Sequence, residues 1–188
     1  MYAFLLSAGV IFVAELGDKS QLMAMTFATR FPMRQVLLGI TLATAVVHLA
    51  SVALGAAIGS SLPTDAIAIA AGISFLGFAA WTLRGDRLDE EEQSKASRTT
   101  RSAVLAVGVA FFLAELGDKT MLATVALATR EGWLGTWLGS TVGMVAADAL
   151  AIVVGAILGR HLPERVIRYA AAAAFAVFGV LLILQGAL

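Results

Sequence analysis

The sequence contains no cysteine, which excludes disulfide bonds, thiolate metal sites and thiol catalysis. Charged residues are scarce as well, at 14% of 188 residues, whereas a soluble domain carries about a quarter. The 13 basic and 13 acidic residues cancel, so no net charge favours nucleic acid or another polyanion as a partner. In their place the chain is 60% hydrophobic, which indicates a protein embedded in a lipid bilayer.

The apolar residues form six segments, each close to or above the about 20 residues that a helix needs to cross a bilayer. The segments are apolar on nearly all sides, and the short alternating runs of membrane-spanning strands are absent. We therefore predict an all-α membrane protein with six transmembrane helices. The segments cover residues 2–29, 36–60, 65–83, 103–129, 134–159 and 164–185.

The N-terminus lacks the basic region of a cleavable signal peptide, so we interpret its apolar run as a retained first helix. No mitochondrial or plastid targeting segment is visible, which favours the plasma (inner) membrane of a bacterium. The polar stretch near residues 86–102 contains an acidic run, Asp89–Glu92, followed by basic residues. We interpret it as a solvated linker; a regulatory cation bound by the acidic run is the weaker alternative.

The hexapeptide Ala-Glu-Leu-Gly-Asp-Lys occurs twice, at residues 14–19 and 114–119. The same offset of 100 residues relates many other identical positions without any gap, such as Gly39 with Gly139 and Phe75 with Phe175. We therefore predict two homologous three-helix repeats, residues 1–85 and 103–188, joined by a charged linker at 86–102.

Three helices per repeat is an odd number, so the second repeat must be inverted relative to the first. The loops after the first, third and fifth segments hold ten basic residues, whereas the opposite side holds only Arg130. By the positive-inside rule, both termini lie outside and the linker is cytoplasmic. This pattern is typical of inverted-repeat transporters.

Each hexapeptide places two acids and a base inside an apolar segment. Glu15 lies about 13 residues into its segment, roughly 20 Å along a helix and so near the middle of the membrane. Ionisable groups at that depth are costly and mark ion or proton pathways. The long segment and its glycine predict a kinked or broken helix at Gly17, and likewise at Gly117, which would free backbone carbonyls as ligands.

Bringing the repeats together gathers four carboxylates, an oxygen donor set that suits Mn²⁺, Ca²⁺ or Mg²⁺. Their formal charge of −4 falls to −2 beside Lys19 and Lys119, which one divalent cation would neutralise. Without the cation, protons would occupy the site, because clustered carboxylates in a low dielectric cannot all stay ionised. Ser20 and Thr120 are candidate auxiliary ligands. The candidate metal ligands are Glu15, Asp18, Glu115 and Asp118.

Two further interpretations of these polar residues stay open. Lys19 and Lys119 could pair with the acids of their own motif and only join helices. His48 and Asp148 occupy equivalent positions in the second and fifth segments, where they could carry protons or compensate charge, or form a structural hydrogen bond.

The two copies, Glu15–Ser20 and Glu115–Thr120, resemble the E-x-G-D-[KR]-[ST] signature of a cation/proton exchanger family. That family includes bacterial manganese exporters and a Golgi manganese/calcium transporter, and it is grouped with the lysine-exporter superfamily. The resemblance covers essentially the whole chain. It implies proton-driven export of Mn²⁺, with Ca²⁺ as a second substrate, metal coordination by the four motif acids, no cofactor and no enzymatic activity.

The residues are also compatible with two alternative functions. A passive cation channel could use the same acids as a filter. An intramembrane aspartyl-type hydrolase also needs paired acids, but those acids would have to be free of adjacent lysines. The sequence leaves open whether the chain is a monomer or a homo-oligomer.

Overall fold

The computed structural model describes residues 1–61, 63–84, 102–158 and 164–187, and all regular structure within these ranges is helical. Apart from Ser102, the predicted linker lies outside them. We number the eight helices of these ranges in chain order. They are α1 (Tyr2–Glu15), α2 (Lys19–Ala28), α3 (Met33–Gly59), α4 (Thr64–Arg84), α5 (Ala103–Glu115), α6 (Lys119–Ala128), α7 (Trp133–Leu158) and α8 (Glu164–Ala187).

Four helices of the described chain are long and apolar enough to cross a membrane: α3, α4, α7 up to residue 157, and α8 from residue 168. The two segments that carry the motif are not among these four, so the prediction of six transmembrane helices stays a prediction for those two segments. Each of these segments consists of two shorter apolar helices, α1 with α2 and α5 with α6.

The predicted break within each motif segment is present. Gly17 has a φ of 76° and Gly117 a φ of 81°, which places both in the left-handed region that a right-handed helix cannot contain. The following aspartate then begins the next helix as its N-cap. Asp18 accepts from the Ser20 N–H at 3.3 Å, and Asp118 accepts from the Thr120 N–H at 3.5 Å.

The helices of one half pack mainly on helices of the other half. Helix α1 lies along α7, its equivalent α5 lies along α3, and α4 packs against α8. Aromatic rings fill the last of these interfaces, where the centroid of Phe75 lies 4.8 Å from that of Phe178 and 5.8 Å from that of Phe175. Because these contacts join the halves, neither half has a separate core.

Glycines allow several of these close approaches between helices. A methyl group at Gly72 of α4 would lie 2.6 Å from the carbonyl oxygen of Gly179 in α8. A methyl group at Gly55 of α3 would lie 2.7 Å from the Cβ of Ala128 in α6. Backbones can therefore approach where larger residues would separate the helices. Gly159 lies outside the described residues.

Candidate cation site at the two helix breaks

The helix breaks place the four motif acids at helix ends inside the protein. Glu15 and Glu115 are the last residues of α1 and α5, and Asp18 and Asp118 are the N-caps of α2 and α6. All four residues are buried, and the most exposed of them, Asp118, has 5% of its surface accessible to solvent. Buried carboxylates need hydrogen-bond donors or cations nearby, so the groups around them define what the site can do.

The hydroxyl groups of the two motifs contact the glutamates. Thr120 Oγ1 donates to Glu115 Oε2 at 2.8 Å. Ser20 Oγ contacts Glu15 Oε1 and lies 3.1 Å from Asp18 Oδ2, so its single proton can be donated to either acid. Ser20 and Thr120 therefore lie among the acids, and their role as ligands of a metal ion stays a prediction.

A buried ion pair joins the two halves at this site. The ammonium group of Lys119, in the second motif, contacts Asp18 Oδ1 in the first motif, and both side chains are almost completely buried. Lys19, at the equivalent position, is half-buried. The alternative interpretation has each lysine pair with the acids of its own motif. It does not account for this contact of Lys119, which joins the two halves.

Gln21 connects the first helix break to α7. Its Oε1 accepts from the Gly17 N–H at 2.8 Å, while its Nε2 donates to the Ala147 carbonyl at 3.0 Å. The sequence analysis did not single out Gln21. Comparison of the repeats could have drawn attention to it, because the equivalent residue in the second repeat is an apolar methionine, Met121. In the structure, Met121 Sδ lies 3.1 Å from the Gly117 nitrogen.

The residue after Ala147 is Asp148, a fifth acid near the first helix break. Its side chain is fully buried, and a negative charge on it would repel one on Asp18, Glu15 or Glu115. His48, its equivalent in α3, is also fully buried, and neither of its ring nitrogens has a hydrogen-bond partner among the described residues. Helices α3 and α7 meet one turn earlier, where Thr44 Oγ1 lies 3.3 Å from Met144 Sδ.

Several carboxylate oxygens at the site lack a hydrogen-bond partner among the described residues. They are Glu15 Oε2, Glu115 Oε1 and both oxygens of Asp148. Nevertheless, no group of three or more histidine, aspartate or glutamate side chains in the described ranges is close enough to hold a metal ion. The acids are thus gathered and partly unsatisfied, without forming a complete ligand shell.

Comparison with known proteins identifies related sequences. The family model described as "Divalent cation/proton antiporter GDT1" matches residues 3–90 and 103–188. A Vibrio cholerae protein named "Putative manganese exporter" is 34% identical over 179 residues, which cover 93% of this chain and 87% of the relative. The Synechocystis "GDT1-like protein sll0615" is 29% identical and covers 95% of both chains.

Longer plant relatives match as well. The Arabidopsis thaliana "Protein PAM71-homolog, chloroplastic" is 31% identical over 93% of this chain, which spans 57% of that relative. No solved structure matches.

The family description names a transport reaction and no bond-cleaving chemistry, so the alternative of an intramembrane hydrolase was wrong. The match covers both motif-bearing segments and all four long helices of the described ranges. The chain therefore belongs to the GDT1 family of divalent cation/proton antiporters.

Proposed function

We propose that this protein exports Mn²⁺ in exchange for protons across the plasma (inner) membrane of a bacterium. The observation that carries the proposal is the contact between Lys119 and Asp18. It places a positive charge among buried acids from both halves of the chain, at the two helix breaks. A site that already holds an ammonium group there has the charge and burial to hold a metal cation when that group withdraws.

The oxygen donors at the site favour hard divalent cations, and the relatives favour Mn²⁺ among them. Carboxylate and hydroxyl oxygens suit Mn²⁺ and Ca²⁺, whereas soft metals prefer sulfur ligands. The name of the Vibrio cholerae relative refers to manganese, which favours Mn²⁺ as the principal substrate and leaves Ca²⁺ as the second. The proposed ligands are Glu15, Asp18, Glu115 and Asp118, with Ser20 and Thr120 as auxiliary oxygen donors.

Exchange with protons follows from the burial of the acids. Carboxylates that lack both a cation and a hydrogen-bond donor in a buried site are most stable when protonated. Entry of a divalent cation would displace those protons, and return of protons would release the cation. We assign Lys19 and Lys119 to charge compensation and His48 to proton transfer between the site and one side of the membrane.

Alternating access explains how the site would reach both sides of the membrane. We propose that the two halves are inverted repeats, with both termini outside and the linker in the cytoplasm. Two apolar clusters flank the acids, one containing Ala14 beside Glu15 and the other containing Ala114 beside Glu115. Opening one cluster at a time would expose the acids to one side only, as in transporters built from inverted repeats.

Flux measurements in proteoliposomes test this function. With an imposed pH gradient, we expect Mn²⁺ to move against its own gradient and the movement to stop when the pH gradient collapses. Asp18→Asn and Asp118→Asn should each abolish the flux, while the exposed Asp65→Asn on α4 serves as a matched control that keeps it. Flux that ignores the pH gradient would favour the passive channel. Full transport by both motif variants would contradict the proposed ligands.

A further inference from the structure

Asp148 is a buried acid outside the duplicated motif. None of its surface is exposed, and neither of its carboxylate oxygens has a hydrogen-bond partner among the described residues. Burying a carboxylate without a donor costs free energy, and such groups inside membranes mark ion or proton pathways. Packing alone does not account for an aspartate at this position.

The position of Asp148 is set by a direct link to the first helix break. The Gln21 amide accepts from the Gly17 N–H and donates to the Ala147 carbonyl, which fastens α7 to the start of α2 one residue before Asp148. From there a negative charge on Asp148 would repel one on the acids of either motif. Asp148 therefore lies beside the first helix break, where Glu15 also has a carboxylate oxygen without a hydrogen-bond partner among the described residues.

The two halves differ at this point although their motifs match. The equivalent of Gln21 is Met121, which has no amide group to bridge to a second helix. The equivalent of Asp148 is His48, which cannot supply a carboxylate. Only the second half therefore adds a fifth acid, and only the first half has the glutamine that links to the residue before it. The equivalent pair, Met121 and His48, has neither the amide nor the carboxylate.

We propose that Asp148 is a direct oxygen ligand of the transported divalent cation, and that Gln21 is the residue that positions it. This inference rests on the proposed function. Because Lys119 contacts Asp18 in this structure, Asp148 would offer the entering cation a carboxylate oxygen before that ammonium group withdraws. Divalent cations of this class accept six or more oxygen ligands, so a further carboxylate can be accommodated.

Thermal unfolding of the purified full-length chain, with and without Mn²⁺, tests this assignment. A cation that binds the folded state raises the unfolding temperature by an amount that grows with the logarithm of its concentration relative to its Kd. For Asp148→Asn we expect the Mn²⁺ affinity obtained from this titration to fall about tenfold or more. Its unfolding temperature without metal should stay level or rise, because the described structure shows no hydrogen bond to lose.

Thr136→Val is a matched control on the same helix. Thr136 is fully buried, its hydroxyl has no hydrogen-bond partner among the described residues, and its equivalent in the first half is Val36. This variant should keep the wild-type response to Mn²⁺. Gln21→Met introduces the residue found in the other half, and it should lower the Mn²⁺ affinity although the chain still contains Asp148.

Each outcome separates the claims. Wild-type affinity in both Asp148→Asn and Gln21→Met would overturn the inference, as would a fall in metal-free stability of Asp148→Asn with unchanged affinity. If Asp148→Asn does not fold, Gln21→Met decides alone: reduced affinity supports the inference and wild-type affinity overturns it. A wild-type chain that does not respond to Mn²⁺ would instead contradict the proposed function.

Discussion

At the scale of single residues, the contact between Lys119 and Asp18 connects the chemistry of the site to its stability. Both groups are removed from solvent, so the contact between them offsets part of the cost of burying each charge. A buried ion pair contributes little compared with a well-packed apolar pair, but the loss of one partner leaves an uncompensated charge. The pair therefore makes both motifs depend on each other before any metal ion binds.

Removing one partner should destabilise the fold more than removing both. We expect Lys119→Met to lower the free energy of unfolding by about 3–5 kcal/mol, because Asp18 would stay buried without this ammonium group. Adding Asp18→Asn to that variant should recover a large part of the loss. Chemical denaturation of the four proteins of this double-mutant cycle measures the coupling, and additive losses would show that the pair does not act as a unit.

The burial of the motif acids was predictable from the sequence, and their partners were not. Two acids, a glycine and a lysine in an apolar run indicate a buried ion site whatever the fold. The partner of Lys119 depends on how the halves dock, and no pattern within one helix records that arrangement. Gln21 was overlooked for the same reason, since its second contact, at Ala147, is 126 residues away in the chain.

At the scale of elements, the two helix breaks create the site. Each break needs a residue with positive φ, and each places a glutamate at one helix end and an aspartate at the start of the next helix. Segment limits were predictable, because the apolar runs follow the helices to within a few residues. The two breaks were predictable as well, because each motif segment is longer than a straight crossing needs and contains a glycine.

Alanine substitutions should separate the break glycines from an ordinary helix glycine. Gly117→Ala and Gly17→Ala should each destabilise the protein by about 1–2 kcal/mol, because alanine resists the left-handed conformation. At Gly117 this cost is conformational alone, since a methyl group there would meet no atom within 4 Å. Gly9→Ala in α1 is the control: it also has open space, and it should stabilise the helix by about 0.5–1 kcal/mol.

Unfolding temperatures of the three variants provide the measurement. Equal effects at Gly9 and Gly117 would contradict the argument from backbone conformation. Loss of Mn²⁺ transport in the break variants at full stability would instead point to a direct effect of the methyl group on the site.

At the scale of the whole molecule, the duplicated sequence is folded into one body rather than two. Helices of each half pack against helices of the other, and glycines such as Gly72 and Gly179 permit their close contact. The repeat itself and its two equivalent motifs were predictable from the 100-residue offset. The way the halves interlock was not, because it depends on side-chain shape at interfaces that are apolar on both sides.

Our account rests on one claim above the others: the two motifs form a single cation site shared between the halves. Equilibrium binding of Mn²⁺ to the purified chain tests it most directly, and we expect one ion per chain. Because each half supplies two of the proposed motif ligands, Glu15→Gln and Glu115→Gln should each abolish binding. Two ions per wild-type chain, or one retained in either variant, would show that each motif binds independently and would contradict the claim.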